Sequence, residues 1–203
     1  HSDMVQLFGK HRMNFSASGI GYASLSAHKI GGPAGVGALL VRPGCALSSL
    51  LKGGGQEQGR RSGTENLIGI AGFGAAATAA SGDSAHYAEM AHWRDAFEAR
   101  VMSALPSVQI FGKLAPRLGN TSCISAGSKM AETMVMAFDI AGIAISAGAA
   151  CSSGKVQSSH VLEAMGAGDE AARAIRVSGG WATQKSDFEA FAEVFVRLHK
   201  QPS

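Results

Sequence analysis

Glycine limits what this chain can build. Its 203 residues include 27 glycines, crowded into 31–37, 53–63 and 142–154. A residue without Cβ weakens helices and strands, and serves where backbone must turn or pass close to something. Regular elements must therefore fit between these clusters, and the clusters themselves read as loops. In the first 80 residues the gaps are short and apolar. "MVQLF" (4–8), "YASLS" (22–26) and "VGALLV" (36–41) are expected to be buried strands. "TENLIGIAGFGAAATAA" (64–80), rich in small residues, is expected to be a buried or interface helix.

Near residue 81 the composition changes. From Asp83 to Leu105 the chain is charged and amphipathic, with Met90, Trp93, Phe97, Val101 and Leu105 at steps of three and four. That spacing predicts one long helix with a single apolar stripe. Strands are expected in "VQIFG", "NTSCISA", "GIAIS" and "AIRVSGG", and a helix over about 129–140. A short helix in "SSHVLEAMG" has serine at its start and Gly166 just past its end. A last helix opens on Ser186-Asp-Phe-Glu189, a capping-box pattern, with a stripe of Phe188, Phe191, Phe195 and Leu198. The expected organisation is α/β over residues 1–80 and α+β over residues 81–203.

Hydrophobic residues make up 46% and charged residues 16% of the chain, enough to bury a core and too apolar for disorder. The formal net charge is +3 and only Arg60 and Arg61 are adjacent, so no basic stripe for nucleic acid is indicated. No apolar run approaches the roughly 20 residues of a membrane helix. "HSDMVQLFGK" has no signal-peptide layout. Cys45, Cys123 and Cys151 form neither a CxxC pair nor a bridge framework, which suits a reducing compartment. These features fit a cytoplasmic protein. The histidines show no metal-ligand spacing, so no metal site is expected, and His86 and His92 read as solvated positions on the long helix.

Several residues can carry chemistry. Lys29, in "SLSAHKIGGPAGVGALLV" (24–41), ends a strand beside Ser26 and His28 and before a pliable loop. A lysine there can form a covalent imine with an aldehyde if its proton is removed; the alternative is an ordinary surface lysine. Asp3 and Gln6 fall where the first strand would end, and a carboxylate there suits a protonated ring nitrogen as well as it suits capping a turn. Cys151, in "SAGAACSSGK", has only small neighbours, as a reactive thiol on a movable loop would. Cys123 reads as a core cysteine. Arg176 is one charge inside "AIRVS"; it calls for an anion, either a carboxylate of the chain itself or a bound one. "GGGQEQGRRSGTEN" (53–66) enters a helix at Thr64, and helix N-termini bind phosphate.

Taken together and in this order, "HSDMVQ", "SLSAHKIGGPAGVGALLV", "GGGQEQGRRSGTEN", "SAGAACSSGK" and "IRVSGG" resemble the cysteine desulfurases of the NifS/IscS type, members of the class V aminotransferases. The likeness runs over nearly the whole chain. It implies the C-terminal part of the large domain of a fold type I pyridoxal-phosphate enzyme over 1–80, and over 81–203 a small α+β domain carrying the catalytic cysteine loop. By resemblance, Lys29 would hold pyridoxal 5'-phosphate covalently, Asp3 would pair with its ring nitrogen, and Gln6 would face its phenolic oxygen. Ser26 and His28 would bind its phosphate, and Thr64 would reach the phosphate of the other subunit of a homodimer. Arg176 would hold the carboxylate of L-cysteine. Cys151 would accept its sulfur as a persulfide and pass it to an acceptor protein such as an iron–sulfur scaffold, or to thio-cofactor assembly.

In that family about half of the protein precedes the segment matching "HSDMVQ", so the resemblance implies that this chain corresponds to the C-terminal half. Residues 1–80 alone, with strand edges unpaired, are expected to hold cofactor weakly or not at all. A selenocysteine lyase or another class V aminotransferase is the alternative within the enzymes. A non-catalytic dimerisation or sulfur-carrying module is the alternative outside them.

Overall fold

The computed structural model describes residues 1–147 and 159–200. It divides into two compact units, His1–Ala85 and His86–Ser203.

The first unit holds a three-stranded sheet, β1 (Ser2–Asp3), β2 (Tyr22–Ser26) and β3 (Gly37–Val41), in that order. β1 runs parallel to β2 with Asp3 opposite Ser24, and β2 runs antiparallel to β3 with Ser26 opposite Gly37. Helix α1 (Leu67–Ala80) completes it. The segment 4–8 is not the strand its apolar run suggested. The Leu7 and Phe8 amides donate to the Met4 carbonyl, and those of Lys10 and His11 donate to that of Leu7. The chain thus coils immediately after Asp3. Met4 is buried and Phe8 meets Phe73 of α1 edge to face at 6.1 Å. Residues 4 and 8 share one side of this turn and anchor it, while the Met4 amide donates to the Ser24 carbonyl of β2 at 3.0 Å.

The small residues of α1 have a use. A Cβ on Gly72 would lie 2.5 Å from Cγ of Pro33, and one on Gly32 would lie 3.1 Å from Cβ of Ala76. The glycine loop after Lys29 thus lies directly on this helix, which only Gly and Ala permit. Asn66 caps α1, its side-chain oxygen accepting from the Gly69 amide at 3.0 Å.

The second unit begins within the long helix α2 (Ser84–Ala104). Strands β4 (Gln109–Phe111), β5 (Thr121–Ser125), β6 (Ser146–Ala147) and β7 (Ile175–Ser178) form an antiparallel sheet in the order β4-β5-β7-β6. Helices α3 (Ala131–Ile140), α4 (His160–Ala164) and α5 (Lys185–Lys200) accompany it. The expected stripes meet in one core. Phe97 stacks on Phe188 with ring centres 5.4 Å apart, and Phe138 stacks on Phe191 at 4.9 Å. Met90, Val101, Ile124, Ile175 and Phe195 are buried with them.

Two local expectations need correction. Helix α5 begins at Lys185, so its return cap comes from Asp187, whose carboxylate accepts from the Gln184 amide at 2.8 Å. Glu189 instead faces Lys185 at 3.5 Å. His86 is not a solvated position: its ring lies 5.5 Å from that of Trp93, and its Nε2 is buried with no hydrogen-bond partner among the described residues. His92 is exposed as expected.

Candidate active site

The coiled turn after β1 and the end of β2 bring most of the candidate residues of the first unit into one neighbourhood. β1 and β2 are parallel neighbours, so both chains leave the sheet at the same end. Asp3 is the last residue of β1 and is exposed; its Oδ1 accepts from the Val5 amide at 3.0 Å. Cross-strand, the His1 ring and the Ser24 hydroxyl are 2.7 Å apart. Ser26 ends β2 and precedes a 3-10 turn, Ala27–Ile30, that carries His28 and Lys29. Gly31 closes that turn with φ of 82°, donating its amide to Ala27, a conformation for which glycine is the least strained residue. Lys29 therefore sits on the turn just beyond the strand rather than on the strand itself, and it is exposed.

Ser26 Oγ and His28 Nδ1 are 2.8 Å apart. They share one hydrogen, which leaves the other ring nitrogen for a further partner. Gln6 is held by Lys10, whose ammonium donates to Gln6 Oε1 at 2.8 Å. Lys10 is pulled below the usual lysine range, first by burial and second by the charge of Lys29. The charge of Lys29 thus reaches Lys10, and neither lysine forms an ion pair among the described residues. Like charges left together without a carboxylate suit an external anion.

The sequence alone did not single out Lys10. In an extended strand, positions 6 and 10 would lie roughly 13 Å apart. In a helical turn they are neighbours. The i,i+4 spacing of Gln6 and Lys10 was the signal available.

Thr64 is not in a helix. It lies exposed three residues before α1, its carbonyl 3.5 Å from Arg61 Nη1, and no hydrogen bond ties it to the residues above among those described. Asn66, rather than Thr64, takes the capping position of α1.

In the second unit, Arg176 lies on β7 opposite Cys123 of β5 and Ser146 of β6. Cross-strand partners point to one face of a sheet. Ile175 and Val177 fill the aromatic core, so Arg176 and Cys123 occupy the other face. They share a 490 Å³ cavity with Phe111, Ser159, Leu162 and Met165. The internal ion pair that was one reading of Arg176 is absent among the described residues. Burial pushes the Cys123 thiol up to about 11, the Arg176 charge working against it. Cys123 is therefore a neutral thiol and a poor nucleophile near neutral pH. Cys151 lies outside the described residues.

The class-V aminotransferase family matches this chain over residues 1–191. The chain belongs to that family. It is 40% identical over 202 residues to a cysteine desulfurase of Cereibacter sphaeroides, covering 99% of this chain and 52% of the relative. It is 41% identical over 203 residues to a cysteine desulfurase of Sinorhizobium fredii, with the same coverage. A solved NifS-like protein from Rickettsia africae superposes with a TM-score of 0.84 at 35% identity, covering 99% of this chain and 53% of that one. The α/β fold expected from the sequence is thus that of the NifS-like transferases over the matched part. The chain spans about half the length of the relatives it matches.

Class-V aminotransferases use pyridoxal phosphate, and the first unit offers groups suited to it. A hydroxyl, an imidazole and two unneutralised ammonium groups make a donor set for a phosphate or another anion. An exposed carboxylate, Asp3, and the carboxamide of Gln6 stand at the same end of the sheet. No helix among the described residues is long and apolar enough to cross a membrane, and no cluster of three metal-ligating side chains occurs among them.

Proposed function

We propose that this chain carries the lysine and the thiol of a cysteine desulfurase, which takes sulfur from L-cysteine and leaves L-alanine. The observation that carries the reading is geometric: the turn bearing His28 and Lys29 packs against the turn bearing Gln6 and Lys10, beside the Ser26–His28 contact, where two parallel strands end. Relatives named cysteine desulfurase, at about 40% identity over nearly the whole chain, support it.

Pyridoxal phosphate, when bound, supplies an electron sink for charge that develops at the substrate Cα. The protein's share falls to named residues. Lys29 holds the cofactor and, as a free amine, takes the Cα proton. Asp3 accepts a hydrogen bond from the ring nitrogen and so keeps it protonated. Gln6 donates to the phenolic oxygen. Ser26 and His28 hold the phosphate, with Thr64 serving the phosphate of the other subunit in a homodimer. Arg176, which forms no ion pair among the described residues, grips the substrate carboxylate through two parallel hydrogen bonds. The Cys151 thiolate attacks the substrate sulfur as the carbon–sulfur bond breaks, and retains it as a persulfide. An iron–sulfur scaffold or a thio-cofactor pathway then receives it, in a cytoplasmic setting.

The test is the intact mass of the 203-residue chain after excess pyridoxal phosphate and borohydride, followed by assay of alanine and sulfide from cysteine. A cofactor-sized addition mapped to Lys29, lost in Lys29→Ala, is expected. Cys151→Ser should abolish persulfide and sulfide while the addition at Lys29 persists. A chain that never takes up the cofactor, yet gains a persulfide on Cys151 from another desulfurase, would establish the sulfur-carrying alternative instead.

A further inference from the structure

We propose that Lys10 is a positioning residue that fixes which end of the Gln6 carboxamide is offered to the ligand held at Lys29. The proposal rests on the reading of Lys29 and Gln6 given above, and gives Lys10, counted there only as a charge, a role of its own. A carboxamide has two faces of opposite chemistry, an oxygen that accepts and a nitrogen that donates. An ammonium group only donates. With Lys10 Nζ 2.8 Å from the Gln6 side chain, the end it holds must be the oxygen. The Gln6 nitrogen is left with no partner among the described residues, so its two N–H groups are what a ligand meets. Such donors favour an oxygen that carries negative charge, as the phenolic oxygen of the cofactor does, over one that carries a hydrogen.

The backbone enforces the arrangement. The turn that starts at Met4 sets residues 6 and 10 one helical turn apart, with Phe8 and His11 bonded back to Met4 and Leu7. Gly9 follows with φ of 77° and passes close to Ile30, the residue after Lys29: a Cβ on Gly9 would stand 2.7 Å from Ile30 Cγ2. The turn that carries Lys10 is therefore packed against the turn that carries Lys29. The charge of Lys29 reaches Lys10, in agreement with that packing.

The series Lys10→Arg, Lys10→Met and Lys10→Glu tests this in the full chain. Arginine keeps a donor at this place. Methionine removes the hold. Glutamate, an acceptor, draws the Gln6 N–H groups to itself and turns the oxygen outward. The first readout needs no ligand: the side-chain amide resonances of Gln6 in isotope-labelled protein should shift in Lys10→Met and stay near wild type in Lys10→Arg. The second is equilibrium binding of pyridoxal phosphate and of its analogue lacking the ring hydroxyl, followed by absorbance. Both ligands share the phosphate and lose alike from the changed charge, so the readout is the difference between them: Lys10→Glu should weaken pyridoxal phosphate about tenfold or more beyond its effect on the analogue, the scale of one hydrogen bond to a charged group; Lys10→Met should fall between, and serves if Lys10→Glu does not fold. Equal losses for both ligands, or Gln6 resonances blind to Lys10→Met, would overturn the proposal while leaving Lys29 as the cofactor lysine. A wild-type chain that takes up neither ligand would overturn the reading of Lys29, and this proposal with it.

Discussion

The two units distribute their apolar surface in opposite ways. In the first, the buried apolar side chains among the described residues are Met4, Ala23, Ala27 and Ala80, and three of those four are alanines. Leu50, Leu67 and Ile68 stand 93%, 72% and 88% exposed, and β3 is open on both faces over Gly37–Leu40. In the second, five phenylalanines interlock around Met90, Ile124 and Ile175. A fully buried aromatic or aliphatic side chain contributes about 1.5–3 kcal/mol, so the second unit has an anchored core of its own and the first has little of one. The unit that gathers Asp3, Ser26, His28 and Lys29 is the one built on glycine loops and a small-residue helix. The residues that let backbone approach Lys29 closely are the ones that contribute least burial.

This contrast breaks most sharply at Phe191. Phe191→Ala removes a ring that is 1% exposed and touches Phe97, Phe138 and Phe195, and should cost about 3–5 kcal/mol. Both tryptophans, Trp93 and Trp181, lie in the second unit, so their emission during urea unfolding reports on that unit. The tryptophan transition should move to much lower urea. A transition left in place would mean that the ring stack is not what holds the unit together.

Glu98 comes next. It is 2% exposed, accepts from both terminal nitrogens of Arg117 at 2.8 and 3.0 Å, and accepts from Ser122 at 2.6 Å. That set fastens the β4–β5 connection to α2, and Glu98 raises Arg117 above the usual arginine range. Glu98→Gln keeps the shape and discharges the acceptor, at a cost of about 2–3 kcal/mol. The same tryptophan emission checks it, and a neutral outcome would show that shape rather than charge holds the connection.

What could be read from the sequence follows the same division. In the second unit side-chain periodicity was reliable, because helices α2 and α5 each present one stripe to one core. Met90, Phe97 and Val101 lie where their spacing put them, as do Phe188, Phe191 and Phe195. In the first unit periodicity misled. "MVQLF" is apolar enough for a strand but coils, since Met4 and Phe8 find their burial on one side of a turn. The chemistry-bearing segment was legible in the first unit even so. Ser26, His28 and Lys29 are adjacent in sequence, and a strand running into a glycine loop leaves little choice about where they fall. Lys10 was not legible, because its value depends on the turn that was missed. Arg176 was visible as a charge in an apolar strand. Its pairing with Cys123 was not visible, since register between β5 and β7 is set by the whole sheet.

The two smallest effects oppose each other in alkaline solution, which makes them a direct comparison of the units. Cys123 is held as a thiol in the folded state up to about 11, against 9.0 for an ordinary cysteine. Its folded pKa is the higher one, so its stabilisation is complete below about 9 and is lost as pH rises towards 11. The loss is about 2 kcal/mol, and Cys123→Ala should remove that decline from the tryptophan-detected stability. Lys10 runs the other way. Its folded pKa is depressed below 10.5, so its ammonium burdens the folded first unit below the folded pKa, and the burden lifts as pH climbs towards 10.5. Because Lys10 is only half buried, solvent screening leaves a few tenths of a kcal/mol. The direct measurement is the titration of its side-chain carbon resonance, whose midpoint should fall below 10.5. Burial is the larger cause and Lys29 the smaller, so Lys29→Met should return the midpoint only part of the way. A full return would mean that the two ammonium groups, rather than the packing of the turn, set the charge balance at this end of the sheet. No return at all would separate Lys10 from Lys29 and remove the like-charge pair from this end of the sheet.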